Sequence, residues 1–372
     1  MGEPHGPSGL RALMPPLHEL LRRMGESGAS DLHISLNARP AYRRHGALAP
    51  EEGLPAATAA DLEGVLATVA TAEERAALAR AREMDKALDL PGVGRFRVNA
   101  AFERGSLYCS FRLVNSSVLT IEELGLPLVC ERLTRLPRGL VLVTGPTGSG
   151  KSTTLASMID RINEREARHI VTVEDPIEYV HPNKRSIIHQ REVGADTASF
   201  AEALRRVLRQ DPDVILVGEM RDLETIGAAI TAAETGHLVF ATLHTPDAPQ
   251  TIDRIVDAFP SHQQQQIRMQ LSMVAEAIIS QVLVPTAGGD GRAVACEVML
   301  GTPAVRNLIR EGKTHQIPTV MATGSAIGMR TREQALAELV RCGVIVRETA
   351  LAVASSPEEL GRLLGGRAQH AA

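Results

Sequence analysis

The sequence predicts an α/β protein in which a small α+β domain precedes a larger domain built on a mostly parallel sheet. Two observations lead to this prediction. The first is a full fit to the phosphate-binding pattern G-x-x-x-x-G-K-[ST] at residues 145–152. The second is the alternation of short apolar runs with helical patterns after residue 120, which is typical of parallel strands joined by helices. Because such sheets bind ligands at the carboxyl ends of their strands, the polar residues at those ends form the candidate site.

The first third of the chain carries the signals of the small domain. An apolar stripe with helical spacing runs from Leu17 to Met24, and residues 31–35 alternate as a strand. Thr71 and Glu74 have the spacing of a capping box, which opens a second helix. Three runs with strand and turn signals follow, KALDL, RFRVNAAF and SLYCSFRLV. We expect this meander to form a sheet edge that displays arginines.

The pattern of signals also predicts the domain boundaries. We place the first domain at residues 1–114, the linker at residues 115–119 and the larger domain at residues 120–372. Thr120 and Glu123 form a second capping-box pattern directly after the linker. From Ser261 onward the chain is predicted to be mainly helical, with a hairpin at residues 288–291 and C-terminal helices over about 300–372.

Composition narrows the classes of function. The chain has 372 residues, of which 44% are apolar and 23% charged, as in ordinary globular proteins. A net charge of −4 and an aromatic content of 2% give little attraction to nucleic acid and little surface for stacking bases.

The four cysteines lie far apart in the sequence. This spacing indicates neither a zinc site nor a disulfide framework, and it favours a protein of the reducing cytoplasm. The N-terminus lacks a signal-peptide pattern and no apolar run approaches the ~20 residues of a membrane span, so we expect a soluble protein that reaches membranes only through a partner.

The glycine-rich segment at 145–152 predicts binding of a nucleoside triphosphate. An apolar run precedes it and a helical pattern follows it, as this kind of loop requires. Its backbone N–H groups would converge on a phosphate at the helix N-terminus. Lys151 would reach the β- and γ-phosphates, and the Ser152 hydroxyl would ligate Mg²⁺. The predicted nucleotide-binding residues of this segment are Gly145, Pro146, Thr147, Gly148, Ser149, Gly150, Lys151, Ser152 and Thr153.

Three carboxylates follow the next apolar run. Glu174, Asp175 and Glu178 lie where a carboxylate can ligate Mg²⁺ or orient the attacking water. As an alternative, Glu174 or Asp175 could cap the turn that follows. We assign Glu174 and Asp175 to nucleotide binding, and Glu178 to catalysis and metal binding.

A fourth carboxylate, Glu219, ends the apolar run that begins at Asp213. Gly218 stands where many P-loop ATPases have a metal-binding aspartate. With glycine at this position, direct ligation of Mg²⁺ is left to Ser152 and Glu178. We expect Glu219 to polarise the attacking water. An ion pair between Glu219 and Arg221 is the structural alternative, and we favour the catalytic role.

Histidines and arginines complete the set of candidates. His237 and His244 bracket the last predicted strand, and we interpret both as γ-phosphate sensors, although a lone histidine is more often a packing residue.

Arginines are clustered on the N-terminal meander. Arg97 and Arg112 are our candidates for side chains that neutralise transition-state charge from a neighbouring domain.

These motifs together resemble those of the secretion-superfamily ATPases and, within them, the type IV pilus retraction ATPases of the PilT type. The resemblance covers nearly the whole chain. Its N-terminal parts are GASDLHI and GRFRVNAAFERGS. The central motifs are the Walker A loop GPTGSGKSTT, the Asp box VTVEDPIEYVH, the Walker B region LRQDPDVILVGEMRD and the His box TGHLVFATLHT. The segment AVRNLIREGKTHQ at 304–316 is similar to the AIRNL-type motif of the retraction branch.

The resemblance implies a PAS-like N-terminal domain, a RecA-like ATPase domain with a helical C-terminal tail, and the cofactors ATP and Mg²⁺. It also implies a homo-hexameric ring in which arginines from the first third complete a neighbouring site. The expected partner is the pilus platform protein of the inner membrane, at whose cytoplasmic face the ring would drive pilus retraction and twitching motility. Direct binding of nucleic acid is not expected.

The chain departs from the family pattern in two places, and other functions stay open. Residues 245–248 read Thr-Pro-Asp-Ala where the family usually has Thr-Asn-Ser-Ala, and Val305 replaces the usual isoleucine. We expect these changes to affect speed and regulation rather than hydrolysis. The alternatives are an accessory retraction paralogue, or a pilus-extension or type II secretion ATPase, whose usual extra N-terminal domain and four-cysteine zinc insert are not seen here. A nucleic-acid translocase and a non-hydrolysing regulator are less favoured.

Overall fold

The computed structural model divides the chain into two compact units. The first unit covers residues 1–116 and the second covers residues 117–372. The structure describes residues 13–44, 46–114, 117–289 and 291–365. Asn115 and Ser116 of the predicted linker, and Asp290 of the predicted hairpin, lie outside the described residues.

In its described residues, the first unit is an antiparallel sheet with three helices. Its helices are α1 (Leu17–Glu26), α2 (Ala59–Val69) and α3 (Ala72–Ala81). Its strands are β1 (Asp31–Ser35), β2 (Ala41–Arg44), β3 (Ala47–Pro50), β4 (Glu83–Leu90), β5 (Gly94–Glu103) and β6 (Ser106–Leu113). In the described residues the strand order is β3-β2-β1-β6-β5-β4. The predicted meander β4–β5–β6 therefore forms one side of this sheet, while β2, β3 and α2 were not predicted.

Local sequence signals explain where the helices of this unit begin and how they pack. Thr71 accepts a hydrogen bond from the backbone N–H of Glu74, whose carboxylate accepts one from the Thr71 backbone, so the predicted capping box opens α3. The apolar stripe of α1 is fully buried against the sheet. The buried Tyr42 hydroxyl donates to the Leu20 carbonyl at 2.8 Å, which ties α1 to β2.

The second unit is built on a seven-stranded sheet. Its strands are β7 (Gly139–Thr144), β8 (His169–Glu174), β9 (Ile187–Glu192), β10 (Val214–Val217), β11 (Leu238–Leu243), β12 (Ala275–Pro285) and β13 (Arg292–Leu300). The strand order in the described residues is β13-β12-β7-β11-β10-β8-β9, and only the β12–β13 pair is antiparallel. Strands β7, β10 and β11 are buried along their whole length, as expected for parallel strands covered on both faces. The predicted α/β fold with a mostly parallel sheet is confirmed.

Helices surround this sheet and continue to the C-terminal part of the described chain. They are α4 (Val129–Leu133), α5 (Lys151–Arg165), α6 (Phe200–Val207), α7 (Leu223–Glu234), α8 (Ala248–Asp257), α9 (Ser261–Val274), α10 (Pro303–Glu311), α11 (Ile317–Thr323), α12 (Arg332–Arg341), α13 (Arg347–Val353) and α14 (Pro357–Gly365). Short 3₁₀ turns cover residues 314–316 and 325–327. Over the described ranges, no helix is both long and apolar enough to cross a lipid bilayer.

Two expectations for this unit need correction. The Thr120–Glu123 capping box forms its hydrogen bonds, but it closes a turn at residues 121–125 instead of opening a helix. The segment after Ser261 is also less helical than predicted, because β12 and β13 are long strands. Strand β12 pairs in parallel with β7 and so joins the main sheet. A short apolar run does not by itself distinguish a strand from a buried helix. For residues 275–285, pairing with β7 is what makes the segment a strand.

The AVRNL segment lies in α10, and the side chain of its arginine, Arg306, packs against the end of α9. The Arg306 guanidinium donates to the Gly301 carbonyl at 2.6 Å and to the Ser272 carbonyl at 2.9 Å. It also donates to the Met273 carbonyl and pairs with the Glu276 carboxylate at 2.8 Å. Ser272 and Met273 lie in the last turn of α9, whose carbonyls have no partner inside that helix. Arg306 therefore closes the end of α9 at the start of β12.

We expect Arg306→Ala to destabilise the protein by about 3 kcal/mol, because three backbone carbonyls and one carboxylate lose their donor together. The adjacent Asn307 is exposed, and among the described residues its side chain bonds only to Arg310 and Glu311 of the same helix. Asn307→Ala should therefore change stability by less than about 0.5 kcal/mol. Urea unfolding of the two variants measures the difference, and equal midpoints would contradict a structural role for Arg306.

Candidate nucleotide-binding site

The phosphate-binding loop connects the end of β7 to the start of α5. Gly145, Gly148 and Gly150 have φ values of +139°, +78° and +88°, a region that side chains with a Cβ rarely adopt. A Cβ on Gly145 would lie 2.3 Å from the Gln281 carbonyl oxygen. The loop therefore depends on glycine both for its turn and for its close packing against β12.

Lys151 is placed at the centre of this loop. Only 8% of its surface is exposed, and its ammonium donates to the Gly145 carbonyl at 2.8 Å and to the Pro146 carbonyl at 3.1 Å. Burial lowers the pKa of Lys151, and the carboxylates of Glu219 and Glu178 act in the opposite direction. A buried cation whose hydrogen bonds go to two neutral carbonyls favours an anionic ligand, which is the property that phosphate binding requires.

The loop forms one wall of a cleft of about 540 Å³ in the second unit. The predicted residues that line this cleft are Thr147, Gly148, Ser149, Gly150, Lys151, Ser152, Thr153, Glu174, Asp175, Glu178, Glu219 and His244. Gly145 and Pro146 form the base of the loop through their carbonyls. The parallel register explains this convergence, because β7, β8, β10 and β11 all end at the same edge of the sheet.

The carboxylates after β8 differ in environment. Glu174 accepts hydrogen bonds from the Thr172 hydroxyl at 2.7 Å and from the Gln190 amide at 3.2 Å. Burial raises the pKa of Glu174, and the nearby Glu178 carboxylate adds to this effect. Asp175 and Glu178 are exposed in the cleft. Glu178 is therefore better placed than Glu174 to act as a charged ligand.

Glu219 lies between a histidine and an arginine. Its carboxylate is 3.2 Å from Nε2 of His244 and 2.7 Å from the guanidinium of Arg221. Burial alone would raise the pKa of Glu219, but Arg221 and His244 lower it below its ordinary value. The ion pair with Arg221, which the sequence analysis disfavoured, is thus present. It keeps Glu219 ionised and able to accept a hydrogen bond from a water molecule.

Backbone packing explains the glycine at position 218. A Cβ there would lie 3.2 Å from the Cα of Glu174 and 3.2 Å from the carbonyl oxygen of Val173, closer than side chains normally approach backbone. The Gly218 carbonyl also accepts a hydrogen bond from the Thr242 hydroxyl. An aspartate at this position would therefore press on the backbone at the end of β8, which favours glycine.

The side chains present fit a magnesium ion that is bound mainly through nucleotide phosphates. Within the described ranges no cluster of three or more His, Cys, Asp or Glu could hold a metal on its own. Mg²⁺ in nucleotide sites commonly takes one or two protein oxygens and completes its shell with phosphates and water. Ser152 and Glu178, both exposed in the cleft, provide such oxygens.

The two predicted sensor histidines lie at opposite edges of the sheet. His244 follows β11 and approaches the hydroxyl of Thr147 in the phosphate-binding loop at 3.4 Å. His237 precedes β11, beside Gly139 at the start of β7, and lines a separate groove. Six strand residues separate the two histidines, a span of about 20 Å. Within one chain His237 does not reach the nucleotide cleft, so its predicted sensor role is corrected.

Arg97 and Arg112 lie in the first unit. They face each other on the neighbouring strands β5 and β6, so both side chains are on the same side of the sheet. Arg112 donates to the buried Asp31 carboxylate at 2.8 Å. Burial alone would raise the pKa of Asp31, but the Ser30 hydroxyl and Arg112 lower it below its ordinary value. Arg97 is exposed.

Several cleft residues were not singled out in the sequence. They include Tyr179, His181, Phe200, Thr242, Leu283 and Arg292. Tyr179 and His181 belong to a recognised motif, so their position was open to inference. Leu283 and Arg292 come from the β12–β13 hairpin, and no local pattern indicates that this hairpin packs beside the phosphate-binding loop.

We expect the stability of the protein to depend on His181 as pH falls. Its side chain is buried, with its Nδ1 4.0 Å from the Asp160 carboxylate. Burial lowers the pKa of His181 from 6.5 to about 4, so below pH 6.5 the unfolded chain takes up the proton first and the folded state loses stability. This linkage amounts to about 2 kcal/mol at pH 5. His181→Gln should therefore show a smaller loss of Tm than the wild type between pH 7.5 and pH 5.

The exposed His262 provides the control for this experiment. His262→Gln should keep the full wild-type decrease in Tm. If His181→Gln and His262→Gln behave alike, the buried histidine does not cause the acid loss of stability.

Comparison with known proteins places this site in a family. The family model described as type II/IV secretion system protein matches residues 109–350. The type IV pilus retraction ATPase PilT of Pseudomonas aeruginosa is 49% identical over 340 residues, covering 91% of this chain and 98% of that protein. A twitching motility protein of Neisseria gonorrhoeae is 50% identical over 321 residues, 86% of each chain.

A solved structure supports the same assignment. The crystal structure of the pilus retraction motor PilT with bound ADP has a TM-score of 0.87 and 45% sequence identity, and it covers 94% of this chain and 100% of that one. The resemblance seen in the sequence motifs is thereby confirmed. The chain belongs to the type II/IV secretion system ATPases and, within them, to the type IV pilus retraction ATPases of the PilT type.

Proposed function

We propose that this ATPase powers the retraction of a type IV pilus, the movement that underlies twitching motility. The observation that carries the proposal is the convergence of the phosphate-binding loop, Glu219 and His244 in one cleft. The names of the relatives and the α10 segment support retraction over other uses of the same chemistry.

Hydrolysis of ATP to ADP and phosphate needs a bound triphosphate, a positioned water and neutralisation of charge. In our proposal Lys151 exchanges its two loop carbonyls for phosphate oxygens. Glu219 accepts a hydrogen bond from the attacking water and orients it toward the γ-phosphorus. His244, in contact with Glu219 and close to Thr147, reports the state of the γ-phosphate. Mg²⁺, held by Ser152 and Glu178, supplies neutralisation of phosphate charge when bound.

The working form in this proposal is a homo-hexameric ring. Arg97 and Arg112 would complete the site of a neighbouring subunit and neutralise charge in the transition state. Both arginines are exposed, and Arg97 is the stronger candidate because Arg112 already pairs with Asp31. The PAS-like and RecA-like domains would change their relative angle on ATP turnover and so convert hydrolysis into motion.

The partner in this proposal is the pilus platform protein of the inner membrane, and the ring works at its cytoplasmic face. The proposal includes no direct contact with nucleic acid. An accessory retraction motor, or a pilus-extension or type II secretion ATPase, would use the same cleft and remains the alternative. Cellular phenotype separates these possibilities.

We expect Glu219→Gln to lower kcat for ATP hydrolysis by roughly a hundredfold, about 3 kcal/mol of transition-state stabilisation, with ATP still bound. The amide keeps the size of the side chain but removes the charge that orients the water. Steady-state phosphate release by the full chain measures the effect. Glu224→Gln serves as a control, because Glu224 is exposed on α7 and pairs only with Arg205 among the described residues.

In cells, Lys151→Ala at the native locus should give excess surface pili and no twitching motility. The variant removes the phosphate-binding ammonium and so stops the motor while fibre assembly continues. Pilus counts by electron microscopy and the spreading of colonies on agar measure the two properties. Cells without pili would instead assign the chain to extension or secretion, and unchanged cells would assign it an accessory role.

A further inference from the structure

The loop that carries His244 is anchored at its far end by a residue outside the nucleotide cleft. This loop, residues 244–247, joins β11 to α8. At one end His244 contacts Glu219. At the other end the backbone N–H of Ala248, the first residue of α8, donates to Oε1 of Glu297 at 2.8 Å in a buried bond. Glu297 therefore holds the end of the loop opposite to the one that faces the nucleotide.

Arg332 holds the middle of the same loop. Its guanidinium donates to the Pro246 carbonyl and, through its other terminal nitrogen, to the Ser355 hydroxyl at 2.9 Å. Arg332 is half-buried at the start of α12. The loop is thus attached to β13 by a carboxylate and to the C-terminal helices by a guanidinium, and neither side chain lines the cleft.

Glu297 is also in register with the strand that leads into the phosphate-binding loop. In the sheet, Glu297 of β13 is opposite Ser280 of β12, and Ser280 is opposite Thr144 of β7. The Thr144 hydroxyl donates to the Ser280 hydroxyl at 2.8 Å. Thr144 is the last residue of β7, directly before Gly145. One row of side chains therefore connects Glu297 to the phosphate-binding loop, while the Ala248 bond connects it to the loop of His244.

The environment of Glu297 makes its charge responsive to pH near neutrality. Only 8% of its surface is exposed. Burial raises the pKa of Glu297 to about 7, opposed by the Ala248 N–H and by Arg332. The carboxylates of Asp247 and Glu333 add to the upward shift. An ionised Glu297 attracts both Arg332 and the N-terminus of α8 more strongly than the neutral acid does.

We propose that Glu297, together with Arg332, is a positioning residue for ATP hydrolysis, which fixes the loop 244–247 and thereby keeps His244 in contact with Glu219. This inference rests on the proposed roles of Glu219 and His244. It adds that the position of His244 is set from β13 and α12, two elements that come after the motifs of the cleft in the chain. Ionisation of Glu297 tightens the loop as pH rises through 7.

A double-mutant cycle on the full chain tests the proposal. Glu297→Ala should lower kcat by about tenfold and change KM for ATP by less than about twofold, since positioning of the sensor is lost but nucleotide binding is not. In a His244→Ala background the same substitution should have no further effect, because the side chain it positions is absent. A tenfold loss in both backgrounds would overturn the proposal and leave Glu297 with a purely structural role.

The conservative variant gives a second readout. Glu297→Gln keeps an acceptor for the Ala248 N–H but cannot ionise. It should retain most of kcat at pH 6 and lack the rise in kcat that we expect for the wild type between pH 6 and pH 8. Identical pH profiles for wild type and Glu297→Gln would also overturn the proposal.

A matched control separates positioning from stability. Glu131 is a half-buried carboxylate on α4 that pairs with Arg135 at 2.9 Å and with Arg161 at 3.5 Å, and it is not among the groups that shift the pKa of Glu297. Glu131→Gln should lower Tm without changing the pH profile of kcat. Lys151→Ala, measured in parallel, tests the proposed ATPase site itself. If Lys151→Ala abolishes turnover while the Glu297 and His244 effects are additive, only the positioning role fails.

Discussion

Parallel pairing of β7, β11, β10 and β8 is the constraint on which the rest of the second unit depends. These strands are buried over most of their length, so their register cannot slip without moving apolar side chains out of the core. Because they run in the same direction, they deliver the phosphate-binding loop and the ends of three further strands to one edge. The chemistry of the cleft is therefore a consequence of how the core packs.

Close backbone packing at this edge decides which residues the site can use. Gly145 and Gly218 both lie where a Cβ would press on neighbouring backbone. Carboxylates of the cleft such as Glu178 and Glu219 therefore come from the segments after β8 and β10. Within the site, Arg221 and His244 keep Glu219 ionised, and loop carbonyls hold Lys151 in place.

Much of this arrangement was predictable because it depends on short stretches of chain. Glycine spacing, capping boxes and apolar runs act over a few residues, and they located the phosphate-binding loop, four strands of the parallel sheet and most of the carboxylates. The errors came where a role depends on residues distant in the chain. The Glu219–Arg221 ion pair and the long strands β12 and β13 are of this kind, since neither charge pairing nor strand pairing can be read from spacing alone.

The sequence by itself determined that a nucleotide is bound at 145–152, that the sheet is mostly parallel, and to which family the chain belongs. Tertiary structure decided which polar residues meet. It separated His237 from His244, because a six-residue strand places its two ends at opposite edges of the sheet. It brought Arg292 into the cleft and placed Glu297 beneath the loop of His244, because β13 packs beside β12 and β12 beside β7. Strand pairing, a contact between distant segments, leaves no signature in local sequence.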